Sequence, residues 1–119
     1  LPIQYAFSYP RRLPLNGDRL DLFKTRRLEF FEPDADKFKC LALAYEAINR
    51  GGNMPCILNA ANEVVNAAFR RDECTFPGMA EIIEQTMRQT TFDSNPDLDV
   101  YLQTDREARE IATRILNNK

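Results

Sequence analysis

Apolar side chains recur at helical intervals through most of this sequence, from about residue 36 to residue 116. Residues 1–33 hold no such sustained period. In the segment from about Asp36 to Arg50, Phe38, Leu41, Ala44, Tyr45 and Ile48 follow one another at i, i+3, i+6, i+7 and i+10. That spacing predicts an amphipathic helix, and Gly51-Gly52 supplies its left-handed stop. A second helix is predicted from about Met54 to Arg71, with Pro55 in its first turn. Its apolar residues Ile57, Leu58, Ala61, Val64, Val65, Ala68 and Phe69, widened by Ala60 and Ala67, span a broad arc that suits a helix with two neighbours. A third, from about Gly78 to Gln89, presents Met79, Ile82, Ile83 and Met87. A fourth is expected to begin at Thr104, because Glu107 three residues later completes a capping box. Its stripe is Ala108, Ile111, Ala112, Ile115 and Leu116. Asp93, Ser94, Asn95, Pro96 and Asp97 form a loop before it, and Leu98, Val100 and Leu102 form a short helical turn.

Upstream, Pro2, Pro10, Pro14 and Pro33 are four of the seven prolines, and Asn16-Gly17-Asp18 is a turn signal. Residues 2–9 can make two helical turns with Pro2 in the first and Pro10 as the stop. Leu28, Phe30 and Phe31 give a strand-like run closed by Pro33. A lone strand leaves its N–H and C=O groups unpaired, so this run needs a partner edge in the helical part or in something outside the chain. The expected architecture is all-α: a small four-helix bundle over residues 34–119, preceded by an irregular connector over residues 1–33 with one short strand-like segment.

A chain of 119 residues is long enough to bury a core of its own. Sixteen basic against 18 acidic residues give a net charge of −2, which provides no basic field for nucleic acid or an anionic membrane. Cys40, Cys56 and Cys74 are odd in number and form no CxxC pair, which fits free thiols in a reducing compartment. No apolar run is long enough for a membrane span and no signal-peptide pattern is present, so a cytoplasmic protein is expected. The start at Leu1-Pro2, without a methionine, fits a piece of something longer.

The chemistry of a typical active site is missing. There is no histidine. Ser8 and Ser94 have no activating base in sequence context, and no phosphate-cradling glycine loop occurs. Glu29, Glu32, Asp34 and Asp36 are the nearest approach to a metal cluster. They lack the glycine and regular alternation of a calcium loop, and capping of the first helix by Asp34 or Asp36 accounts for them better. The arginine pairs 11–12, 26–27 and 70–71 are scattered and suit a solvated surface.

One strip stands out. Relative to Ile57, Asn62, Asn66, Asn59, Arg70 and Glu63 fall at about 140°, 180°, 200°, 220° and 240°, opposite the apolar arc. A merely solvated strip would carry residues that favour helix, such as Lys, Glu and Gln. Short amides at Asn59, Asn62 and Asn66, with Glu63 among them, suit a face that docks against backbone groups of another segment. Both readings, docking face and solvated face, are open at this stage.

The stretches PIQYAFSYP (2–10), CLALAYEA (40–47), LNAANEVVNAAF (58–69) and TDREAR (104–109) together resemble the carboxy-terminal part of the 1-deoxy-D-xylulose 5-phosphate reductoisomerases. The four occur in the family's order across nearly the whole chain. Lys39, Gly78 and Asn66 depart from its usual pattern. The resemblance implies a four-helix bundle after a connector, in an enzyme that uses NADPH and Mg²⁺ or Mn²⁺ to convert its substrate to 2-C-methyl-D-erythritol 4-phosphate for isoprenoid synthesis. It also implies that the cofactor, metal and catalytic residues precede this part, so no catalytic, cofactor-binding or metal-binding residue is assigned here. The implied partner is the catalytic domain of the same parent chain, in a homodimer. The alternative is an independent helical adaptor that binds a protein through the Asn59, Asn62 and Asn66 face.

Overall fold

The computed structural model describes residues 2–14 and 16–118. Leu1, Leu15 and Lys119, which belong to the expected connector and bundle, lie outside the described residues. The chain divides into two compact units, residues 1–32 and 33–119.

In the first unit, α1 (Pro2–Ser8) begins with the proline whose missing N–H costs nothing at a helix start. The chain after α1 folds back on it. Arg11 N–H donates to the Ser8 carbonyl at 2.8 Å, the Gln4 amide donates to the Pro14 carbonyl at 3.2 Å, and the Arg12 guanidinium lies 4.6 Å from the centre of the Tyr5 ring. A single turn, α2 (Leu22–Thr25), is capped by Asp21, which accepts from the N–H groups of Phe23 and Lys24. The run expected to be strand-like, Leu28 to Phe31, is irregular, and no strand occurs among the described residues. With no second edge to complete its hydrogen bonds, extended backbone has no sheet to join.

The second unit is a bundle of α3 (Lys39–Arg50), α4 (Met54–Phe69), α5 (Phe76–Gln89) and α6 (Leu98–Asn117). The fold is all-helical among the described residues, as the periodicity predicts. α4 is the centre and packs against the other three helices. It can do so because Ala60, Ala61 and Ala68, all fully buried, let its neighbours approach closely around Ile57 and Val65. Met79, Ile82, Ile83 and Met87 of α5 and Ala108, Ile111, Ala112 and Ile115 of α6 complete the core, all at the positions their spacing predicts.

Three expectations are corrected. Asp34 caps a turn rather than α3: its carboxylate accepts from Lys37 N–H at 2.8 Å, and the helix begins only at Lys39 with no side-chain cap. The predicted stripe of α3 does not face the bundle. Leu43 and Ala47 are buried instead, while Tyr45 and Ile48 stay 58% and 70% exposed, because α4 and α5 lie against the other side of the helix. Finally, Thr104 does not start the last helix. Asp97 does, accepting from Val100 N–H at 2.9 Å, and the turn at Leu98 to Leu102 is continuous with the remainder of α6. Glu107 reaches across to residue 91 rather than back to a cap, accepting from both N–H and hydroxyl of Thr91 at 3.1 Å.

Thr104 is buried because it belongs to a polar knot. The Asn53 side chain, 1% exposed, donates to the Thr91 carbonyl at 3.0 Å and to the Thr104 hydroxyl at 2.9 Å, and accepts from Asp93 N–H at 2.9 Å. Its backbone N–H donates to the Asp93 carbonyl at 2.9 Å. Gly52 makes this approach possible: a Cβ there would stand 2.2 Å from the Asp93 carbonyl oxygen, and its φ of +56° is one that side-chain-bearing residues avoid.

Asn53→Ala would leave the Thr91 carbonyl, the Asp93 N–H and the buried Thr104 hydroxyl without this partner, so it should destabilise the chain by on the order of 2–4 kcal/mol. The exposed Asn49→Ala should change stability by no more than about 0.5 kcal/mol. Chemical denaturation of the two variants checks this; equal midpoints would mean that the knot contributes nothing.

Candidate interaction surface

The polar strip of α4 is half engaged within the chain. Glu63 is the pivot: one carboxylate oxygen accepts from the Asn59 amide at 3.2 Å and the other from Arg109 Nη2 at 2.6 Å. Arg109 in turn donates through Nε and Nη2 to the two oxygens of Asp105, at 2.8 and 3.0 Å. The chain Asn59–Glu63–Arg109–Asp105 therefore ties α4 to α6 along their outer edges. A guanidinium fork held by two carboxylates is well suited to such a tie, since its donors are fixed in one plane.

The electrostatics follow from this geometry. Hydrogen bonding from Arg109 holds the carboxyls of Glu63 and Asp105 below their ordinary values, and the two carboxylates push the Arg109 pKa up. All three are therefore charged around neutral pH. Arg109 and Glu63 are 38% and 54% exposed, so solvent screens the pair, and its main effect is to set the register of the two helices.

Asn62 and Asn66 take no part in the tie. Asn62 is half-buried, Asn66 is exposed, and neither side-chain amide has a hydrogen-bond partner among the described residues. The structure thus brings Asn59 and Glu63 together with Arg109 and leaves Asn62 and Asn66 presenting unpaired donors and acceptors. Sequence spacing alone missed Arg109 and Asp105. Their i, i+4 placement within TDREAR is the signal that could have found them.

Reactive chemistry does not gather on this surface. Among the described residues no three Asp, Glu or Cys side chains converge as metal ligands. Glu29, one of the four acidic candidates, pairs with Arg27 at 3.0 Å. Cys40, Cys56 and Cys74 form no disulfide among the described residues. Burial pushes Cys40 and Cys56 up, with the Asp105 charge adding to the effect at Cys56, so both are held protonated and poorly nucleophilic. The Ser8 hydroxyl donates to the Arg11 carbonyl. No helix among the described residues is long and apolar enough to cross a membrane.

Comparison with known proteins finds relatives of one family along this helical chain. A 1-deoxy-D-xylulose 5-phosphate reductoisomerase from Bacteroides fragilis is 58% identical over 116 residues, which are 98% of this chain and 30% of that protein. The structure of the enzyme of that name from Zymomonas mobilis in complex with NADPH superposes with a TM-score of 0.83 at 35% identity, over 97% of this chain and 30% of that one. A DOX-P reductoisomerase in complex with magnesium gives a TM-score of 0.84 at 33% identity, over 98% of this chain and 31% of that one. The chain thus spans about a third of the length of the relatives it matches. The family model described as the DXP reductoisomerase C-terminal domain matches residues 1–111, and the chain belongs to that family.

Proposed function

We propose that this chain is the non-catalytic carboxy-terminal part of a reductoisomerase that converts 1-deoxy-D-xylulose 5-phosphate to 2-C-methyl-D-erythritol 4-phosphate with NADPH and a divalent ion. The observation that carries this reading is the family match over residues 1–111. It is supported by relatives of the same name whose solved structures hold NADPH or magnesium. The described residues do not fit either group: among them no carboxylate cluster converges for a metal, and the sequence carries no phosphate-cradling glycine loop. The groups that bind and react therefore belong to the rest of the parent polypeptide, which acts as a homodimer in the cytoplasm. The role of this part is to support that catalytic region.

Residues 34–119 are the bundle domain in this reading and residues 1–33 the connector that joins it to the catalytic domain. The face of Asn59, Asn62, Glu63 and Asn66 is a docking surface. Its free half, Asn62 and Asn66, offers the amides that remain for a neighbour, while Asn59 and Glu63 hold α4 and α6 in register beneath it.

Three measurements test these statements. The purified chain should oxidise no NADPH above a no-protein control when given the substrate and Mg²⁺, whereas the full-length polypeptide should turn over; steady NADPH loss with the chain alone would refute the non-catalytic assignment. Residues 34–119 expressed without the connector should keep a cooperative thermal transition, because the buried stripes all lie within them. Loss of that transition would make the connector part of the core. Asn62→Ala and Asn66→Ala should raise the stability of the isolated chain by up to about half a kcal/mol through helix propensity. In the full-length protein the same changes should cost roughly 1–3 kcal/mol, because backbone partners are left unpaired. Stabilisation in both contexts would identify a solvated face.

A further inference from the structure

α3 carries more apolar surface than its own bundle uses. At about 100° per residue, its polar residues Asn49, Glu46, Lys39 and Arg50 occupy an arc of only about 100°. Apolar side chains run around about 200° of the remainder, from Leu43 through Ala47 and Ile48 to Tyr45. A helix that packs on one core needs a stripe about half as wide. The bundle takes one end of the arc, Leu43 and Ala47. The other end, formed by Phe38, Leu41, Tyr45 and Ile48, is a ridge of three turns without a charge in it, and its outer residues are mostly exposed. Single exposed apolar residues are ordinary, but a contiguous ridge on a continuous apolar arc marks a surface that something covers. Beside the ridge, a groove of about 210 Å³ at the first turns of α3 and α5 is lined by Phe38, Cys40, Phe76, Pro77 and Ala80 together with four charged residues. A groove of that kind takes an anchoring side chain from a partner.

We propose that the outward face of α3 is the seat of the preceding, catalytic part of the same polypeptide, which makes α3 a helix packed on both sides. This rests on the reading that the chain is the carboxy-terminal part of a longer enzyme. The choice of occupant comes from the polypeptide that lies outside the chain. The Bacteroides fragilis relative has 70% of its length beyond the matched part, and the match is to a carboxy-terminal domain, so the missing part precedes α3. In the sequence, α3 is the first helix after residues 1–32, and the catalytic part is tethered to it through that short stretch. Attachment within one polypeptide makes such a contact intramolecular. A second copy or a separate protein would have to overcome the full loss of translational and rotational freedom to compete.

Thiol labelling tests this directly. Ile48→Cys, and separately Tyr45→Cys, are introduced into this chain and into the full-length polypeptide. Both positions are exposed here, so neither change disturbs the bundle. Each protein is reacted with a maleimide under native conditions, and peptide mass spectrometry separates the new site from Cys40, Cys56 and Cys74. Rates are normalised to those in denaturant. Labelling at residues 45 and 48 should be fast in this chain and about tenfold or more slower in the full-length protein, where it waits on local opening. Equal rates in the two proteins would overturn the proposal. So would slow labelling in this chain that deepens as its concentration rises, since the occupant would then be a second copy. Turnover by the full-length protein is measured separately: protected sites without turnover would remove the activity reading and leave the docking face, and turnover with unprotected sites would do the reverse.

Discussion

The buried amide of Asn53 is the constraint on which the bundle's arrangement depends. A primary amide placed inside a protein has to find partners for its N–H groups and oxygen, or it costs more than it contributes. Here the partners come from the segment between α5 and α6 and from Thr104 of α6, so one side chain at the start of α4 fixes the end of one helix and the course of the next. Gly52 belongs to the same constraint, because any side chain there would meet the Asp93 carbonyl. Thr86 and Thr90 extend the polar accounting down α5 by donating their hydroxyls to the carbonyls of Ile82 and Thr86. Among the described residues, no buried side-chain nitrogen or oxygen is left without a partner.

Around this knot the apolar packing is set by alanine. The alanines of α4 and α6 bring those two helices close, and larger residues such as Ile57, Ile82 and Ile111 fill the spaces between them. The Glu63–Arg109–Asp105 tie lies at the edge of the same contact. Its value is positional rather than energetic, since it is partly solvated. The two polar features thus differ in kind. The Asn53 knot centres on a buried side chain and joins α4 to α6 and to the segment before it, whereas the outer tie occupies half of a surface whose other half is presented outward.

That division bears on function. Among the described residues no buried side-chain nitrogen or oxygen lacks a partner, Cys40 and Cys56 are held protonated, and no three carboxylates or thiols converge. What the domain does present, among the described residues, are unpaired amides at Asn62 and Asn66 of α4 and an exposed apolar ridge on α3. Support of a catalytic region is the role proposed for such a surface.

Helical periodicity in the sequence was enough to identify four main helices, and the stripes of α4, α5 and α6 lie in the core because i, i+3, i+4 spacing leaves one face to bury. The motifs of residues 2–10, 40–47, 58–69 and 104–109 were likewise sufficient to indicate the family. Two things required the tertiary structure. Which side of α3 faces inward could not be read from its pattern, because both ends of a wide apolar arc look like a core stripe and only the positions of α4 and α5 choose between them. The start of α6 and the purpose of Thr104 were equally hidden. A threonine followed by a glutamate three residues later has the form of a capping box, but the partners of both side chains, Asn53 and Thr91, are distant in sequence, and local pattern carries no information about hydrogen bonds formed across the fold.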